Sequence, residues 1–201
     1  MKTVKNKPKI YGLTGGIASG KSVAAGVFES LNVKIFDSDF YVKKLWEEND
    51  ELIKKVNEKY NIDITKRKGK DELSNIIFNN ELDRFYINSL VHPLVFEGVE
   101  KFIKDNIKEP FIIIDMPLLF EVGYENKVDK TILIYTNKRN QINRLMKRDN
   151  ISKKEALLKI NSQIKLKDKR KMSHFVINNN KKIEDLKNKV KLLYEVLKNE
   201  S

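Results

Sequence analysis

Eight residues carry the clearest chemistry: Gly15-Gly16-Ile17-Ala18-Ser19-Gly20-Lys21-Ser22 has the spacing G-x-x-x-x-G-K-[ST]. Glycines let successive backbone N–H groups curl into one hollow, and a helix starting there adds positive potential. The hollow suits a polyphosphate, with Lys21 for its outer phosphates and the Ser22 hydroxyl for a bridging Mg²⁺. Three further groups could act beside it. Asp37 and Asp39 close one short apolar run, and Asp115 closes another in the manner of a Walker-B acid that holds Mg²⁺, often through water. Arg144 and Arg148, four residues apart, could stack on a base and grip phosphates together.

These side chains need strands that end where they begin. Ile10 to Leu13 reads as a strand entering the loop, and Val23, Ala24, Val27, Phe28 and Leu31 follow at helical spacing. Val33 to Phe36 reads as a second strand. If it ran on, Asp37 and Asp39 would point opposite ways, so one of them faces the cleft, or Asp37 or Ser38 caps the next helix. Phe111 to Asp115 and Lys130 to Tyr135 are apolar runs suited to a parallel sheet covered on both faces. His174 to Ile177 is expected as the last strand, turning at Asn178 to Asn180, with a final docked helix from Ile183 to Leu197.

Between the second and third strands, Phe40 to Asp105 is mainly helical, with breaks near 61–63 and 65–70. That exceeds a simple crossover and reads as an inserted helical subdomain able to cover an acceptor. Within it Pro93 should bend the chain at His92, a histidine read on its own as a packed residue. Further on, Ser152 and Glu155 form a capping box, and the charge run Lys165, Lys167, Lys169, Arg170, Lys171 reads as a solvated face or a lid closing on phosphates.

The 201 residues fit one domain with an insert, and without cysteine they exclude disulfides, thiolate metal sites and a cysteine nucleophile. A net charge of +12 is scattered and lysine-rich, which favours small polyanions over nucleic acid as partners. No apolar run reaches membrane-spanning length, so no membrane partner and a cytoplasmic location are expected. A GTPase is disfavoured, because Asn137 to Asn140 lacks the acid of N-K-x-D and Asp115 to Leu118 lacks the glycine of D-x-x-G.

Gly12 to Ser22, Asp37-Ser38-Asp39, Val91-His92-Pro93-Leu94, Pro117-Leu118-Leu119-Phe120-Glu121, Gln163 and Val176-Ile177-Asn178, in that order, resemble the landmarks of the dephospho-CoA kinase family. The resemblance implies an α/β P-loop NTPase three-layer fold: a five-stranded parallel sheet with a helical acceptor-binding insert and a lid. The corresponding bounds are 1–39, 111–149 and 172–201 for the core, 40–110 for the acceptor subdomain and 150–171 for the lid. It implies ATP and dephospho-CoA as substrates and Mg²⁺ as cofactor; the sequence does not set the oligomeric state, for which a monomer is favoured.

Residue by residue, the resemblance implies Asp39 as the base that takes the hydroxyl proton. Lys21, Ser22-bound Mg²⁺ and Arg148 would spread the developing charge, and Arg144 would pack on the adenine. His92 becomes an acceptor-site neighbour, and Gly15 to Val23 the ATP-binding stretch. Three positions depart: Val23 where threonine is usual, and Lys70 and Lys159 where arginine is usual. The first loses a hydroxyl, the others a planar fork. Two competing classes are another small-molecule kinase of this fold and a non-catalytic nucleotide-binding module.

Overall fold

A computed structural model describes residues 7–200. In chain order the elements are β1 (Lys9–Gly15), α1 (Lys21–Ser30), β2 (Lys34–Asp37), α2 (Ser38–Glu48), α3 (Asp50–Tyr60), α4 (Arg67–Asn79) and α5 (Glu81–Asp105). Then come β3 (Phe111–Asp115), a 3-10 turn (Tyr124–Lys127), β4 (Lys130–Tyr135), α6 (Lys138–Asp149), α7 (Lys153–Asn161), α8 (Leu166–Met172), β5 (Phe175–Asn178) and α9 (Ile183–Glu200).

The five strands form one parallel sheet in the order β2-β3-β1-β4-β5. Every residue of β3 is buried, as are Ile10 to Gly15 of β1 and Thr131 to Ile134 of β4. Strands covered on both faces read as unbroken apolar runs, which is why these were legible as strands. Alternate residues divide the two faces. Tyr11, Leu13, Ile113, Ile132 and Ile134 pack in one cluster with Ala24 and Phe28 of α1 and Leu186, Val190 and Leu197 of α9. Ile112, Ile114 and Leu133, on the opposite face, are fully buried too. Since β3 and β4 flank β1 on opposite sides, the chain reverses its direction of travel across the sheet there, and the crevice beyond the strands' carboxyl ends is where such sheets bind ligands.

Residues up to Phe36 and from Asp105 onward form one compact unit, and Asp37–Lys104 a second. The second unit holds α2 to α5, with Leu45, Leu52, Val56, Leu73, Ile87, Val91, Val95 and Val99 buried. The Tyr60 hydroxyl donates to Asp83 at 2.9 Å, linking α3 to α5. Pro93 does not take His92 out of the helix as expected: α5 continues through it for 25 residues. Proline removes one helical hydrogen bond, but the buried stripe Val91, Val95, Val99 continues across it, and burial of that face outweighs the local rule. α4 begins at Arg67, inside the stretch read as a break, and β5 is shifted one residue onward from the expected strand.

Candidate active site

β1 delivers the chain to Gly15, and α1 starts six residues later. The turn between them closes on the Ser19 N–H, which donates to the Gly16 carbonyl at 3.0 Å, and two residues hold left-handed backbone, Ala18 (φ +58°) and Gly20 (φ +97°). The Gly20 carbonyl accepts from Val23 and Ala24 N–H at 3.1 and 3.2 Å and starts the helix. The N–H groups of Ala18, Gly20, Lys21 and Ser22 find no acceptor among the described residues. Orphan donors at a helix start are what an anion takes up. The Ser19 hydroxyl is buried and likewise without a hydrogen-bond partner.

Three amide side chains grip this loop from outside. Gln163 Oε1 accepts the Ile17 N–H at 3.1 Å, Gln141 Nε2 donates to the Ile17 carbonyl at 2.8 Å, and Asn179 Nδ2 donates to the Ser19 carbonyl at 2.7 Å. Of the three, sequence reasoning used only Gln163, and then as a landmark without a role. The run Asn178-Asn179-Asn180 after a strand was the available signal for Asn179. A Cβ on Gly20 would sit 2.3 Å from Asn179 Nδ2, so the absence of a side chain there serves both its backbone angle and this contact.

Lys21 reaches back across the loop to Asp115, Nζ to Oδ1 2.6 Å, and Asp115 is only 3% exposed. The register of β1 with β3 sets Asp115 level with Leu13, two residues before Gly15. The exposed Ser22 hydroxyl and the Asp115 carboxylate are hard oxygen donors, and no group of three or more His, Cys, Asp or Glu able to hold a metal occurs among the described residues. Such a sparse oxygen set fits Mg²⁺, which keeps waters and takes its other ligands from phosphates.

The arginines separate. Arg144 Nη2 donates to the Asn179 carbonyl at 3.0 Å, so the turn after β5 holds both this guanidinium and the phosphate loop. Asn180 Oδ1 ties the same turn to β4 and α6, accepting from the Thr136 hydroxyl at 2.9 Å and the Asn137 N–H at 2.8 Å. Arg148 is exposed and pairs with Asp149 at 2.7 Å, and Lys159 reaches the same carboxylate at 3.1 Å. Hydrogen bonds from Arg148 and then Lys159 pull the Asp149 carboxyl down to about 2, while Arg148 is held above its usual range by Asp149.

Residues 9–185 match the family model described as dephospho-CoA kinase. The dephospho-CoA kinase of Staphylococcus saprophyticus is 37% identical over 193 residues, covering 94% of both chains. Among solved structures, a Thermus thermophilus protein superposes with a TM-score of 0.82 at 27% identity, covering 95% of this chain and 98% of that one. Dephospho-CoA kinase from Campylobacter jejuni superposes at 0.72 and 29%, covering 96% and 98%. The chain belongs to the dephospho-CoA kinase family.

The remaining site residues of the dephospho-CoA kinase reading lie in the second unit. β2 stops at Asp37, whose carboxylate caps α2 by accepting the Phe40 N–H at 3.0 Å. Asp39 is therefore in the first turn of a helix rather than on a strand, exposed to solvent. His92 is half-buried on α5, 6.2 Å from the Phe96 ring, and burial holds it below the usual imidazole value, so it is neutral at pH 7. Val23, one of the departures, is partly buried and packs against the cluster between the sheet, α1 and α9, which an apolar side chain suits. Of the departures to lysine, Lys159 is bound by Asp149 and Lys70 is exposed.

The basic run is not uniformly solvated, as its composition suggested. Lys165 and Lys167 are exposed and Arg170 lies over the Tyr135 ring at 5.4 Å, but Lys169 is 0% exposed. Its ammonium is bonded to Glu121 at 2.8 Å and to the Pro117 carbonyl at 3.0 Å. A lysine is fully buried only when paired, and a charge count along the sequence cannot show the pairing.

Proposed function

We infer that this chain transfers the terminal phosphoryl group of ATP to the ribose 3′-hydroxyl of dephospho-CoA, giving CoA and ADP, the last step of coenzyme A biosynthesis. The observation that carries this reading is the Lys21–Asp115 contact at the mouth of the orphan-donor loop, within a family match spanning residues 9–185.

In this reading the free N–H groups of Ala18, Gly20, Lys21 and Ser22 bind the β- and γ-phosphates, and Gly15 to Val23 is the ATP stretch. Lys21 leaves Asp115 for the phosphates and balances charge as it builds on the transferring group. Ser22 and, through water, Asp115 would hold Mg²⁺, which supplies further charge neutralisation when bound. Arg144, oriented by the Asn179 carbonyl, packs on adenine, and Arg148 exchanges Asp149 for phosphate. Asp39 accepts the 3′-hydroxyl proton, and His92 is an acceptor-site neighbour with no part assigned to it in proton transfer. Residues 40–110 take the acceptor and 150–171 include the lid, with Lys169 marking a part of it anchored to the core.

A coupled assay for ADP, with ATP and Mg²⁺ present, compares dephospho-CoA with nucleoside monophosphates as acceptor. Stimulation by dephospho-CoA alone is expected, and equal stimulation by nucleotides would overturn the assignment. Asp39→Asn should lower kcat by about a hundredfold or more while ATP affinity stays within about twofold. Turnover at the wild-type rate in that variant would strip Asp39 of the proton.

A further inference from the structure

Lys169 stands apart from the other lysines among the described residues, because its charge is wholly out of water. Such a group persists only where its partners repay lost hydration, and those partners are informative. Both of its partners lie in the segment after β3: the Pro117 carbonyl, which the Thr14 hydroxyl of β1 also meets at 3.0 Å, and Glu121. Glu121 Oε1 carries the connection onward to the linker between α7 and α8, where it also accepts the Ile164 N–H at 3.0 Å. Immediately before Ile164 stands Gln163, whose carboxamide takes the Ile17 N–H.

We propose that the buried Lys169–Glu121 pair is a positioning latch for the phosphate loop, setting the loop's shape by holding Gln163 against Ile17. With Gln163 and Gln141 in place, both backbone polar groups of Ile17 are committed to protein, and the hollow is formed before ATP arrives. Without the latch the linker is free to drift, the Ile17 amide loses its partner, and part of the ATP binding energy goes into reordering the loop. Neither Lys169 nor Glu121 touches a reacting atom; both act through Gln163. The latch acts on ATP at the loop, as read above, whatever the acceptor proves to be.

The test is a cycle on ATP affinity, measured by calorimetry with Mg²⁺ and no acceptor. Lys169→Met/Glu121→Gln replaces the ion pair by neutral groups of similar size, so the fold has no lone buried charge to expel. It should melt cooperatively and bind ATP roughly fivefold to tenfold more weakly, and Gln163→Ala should lose about as much. Combining the two should cost no more than about twofold beyond the worse one, because both break one relay. A folded latch variant with unchanged affinity, or losses that multiply in the combination, would overturn the proposal. Should this double change prevent folding, Lys169→Gln/Glu121→Gln carries the same test, since it too removes both charges while leaving a donor for the Pro117 carbonyl. Turnover of dephospho-CoA by the wild type is measured beside it, so a wrong acceptor shows as absent turnover with the affinity pattern intact.

Discussion

Ala18 keeps a left-handed backbone that an alanine tolerates poorly, in a loop whose other left-handed residue is a glycine. The clash of Cβ with the carbonyl oxygen costs about 1–2 kcal/mol, partly offset because glycine would have more freedom to lose on folding. Ala18→Gly should therefore stabilise the fold by about 0.5–1 kcal/mol, read from the denaturant midpoint. A loss of stability would mean that packing of the methyl outweighs the strain. Asp149 offers a test by titration. Its folded value near 2 lies below the usual 3.8, so the contribution of the Arg148 and Lys159 contacts is full above about 3.8 and disappears as the pH falls through about 2. NMR titration should find that carboxyl near 2 and, in Arg148→Met/Lys159→Met, back near 3.8; an unmoved value would show that the pairs do not persist in solution. At this scale the sequence was uneven. Lys21, Ser22 and Asp115 stood out because motif spacing and strand ends mark them. Gln141 and Asn179 did not, since a neutral amide that bonds a backbone carbonyl leaves neither a charge pattern nor a period.

β3 and β4 were readable to their ends because both their faces are covered and their limits coincide with Pro110 and Pro117, or with polar residues. α5 was not, because the rule for proline is local whereas the burial of Val91, Val95 and Val99 is not. The start of α4 shows the same conflict around Gly69. A Cβ there would lie 2.0 Å from the Asp63 carbonyl oxygen, in the turn that places Ile64 in the interior and bonds its N–H to Asn57 at 3.0 Å. A glycine that looked like a helix breaker is what allows that turn to pack against the first turn of the helix. Gly69→Ala must displace backbone rather than a mobile side chain, and should cost about 2–4 kcal/mol in thermal or denaturant unfolding. A change below about 0.5 kcal/mol would show that the turn gives way easily.

At the level of the whole molecule, an excess of twelve positive charges is spread over a protein whose two substrates are polyphosphates. Encounter should be steered by that field: between about 20 and 200 mM salt, kcat/KM for the acceptor should fall roughly threefold to tenfold while kcat changes less than twofold. Parallel losses in both would place the salt effect in the chemical step instead. The helical stretch between the second and third strands was legible from the spacing of apolar runs and the five-stranded parallel sheet was expected from family resemblance, but the strand order was not legible at all. Sheet order arises from long-range pairing that no local pattern encodes. That order has a consequence for how the protein is made. β1 leaves the ribosome first, yet it sits at the centre of the sheet, and its hydrogen-bonding neighbours are β3, with Lys9 opposite Phe111, and β4, with Tyr11 opposite Lys130. At about 5–20 residues per second, translation leaves this apolar strand without its neighbours for roughly 5–20 seconds. During that time residues 37–104, a compact unit of their own, emerge. The insert thus imposes a delay on the nucleotide-binding core, and a chaperone that shields Ile10 to Leu13 would serve this chain most in that interval.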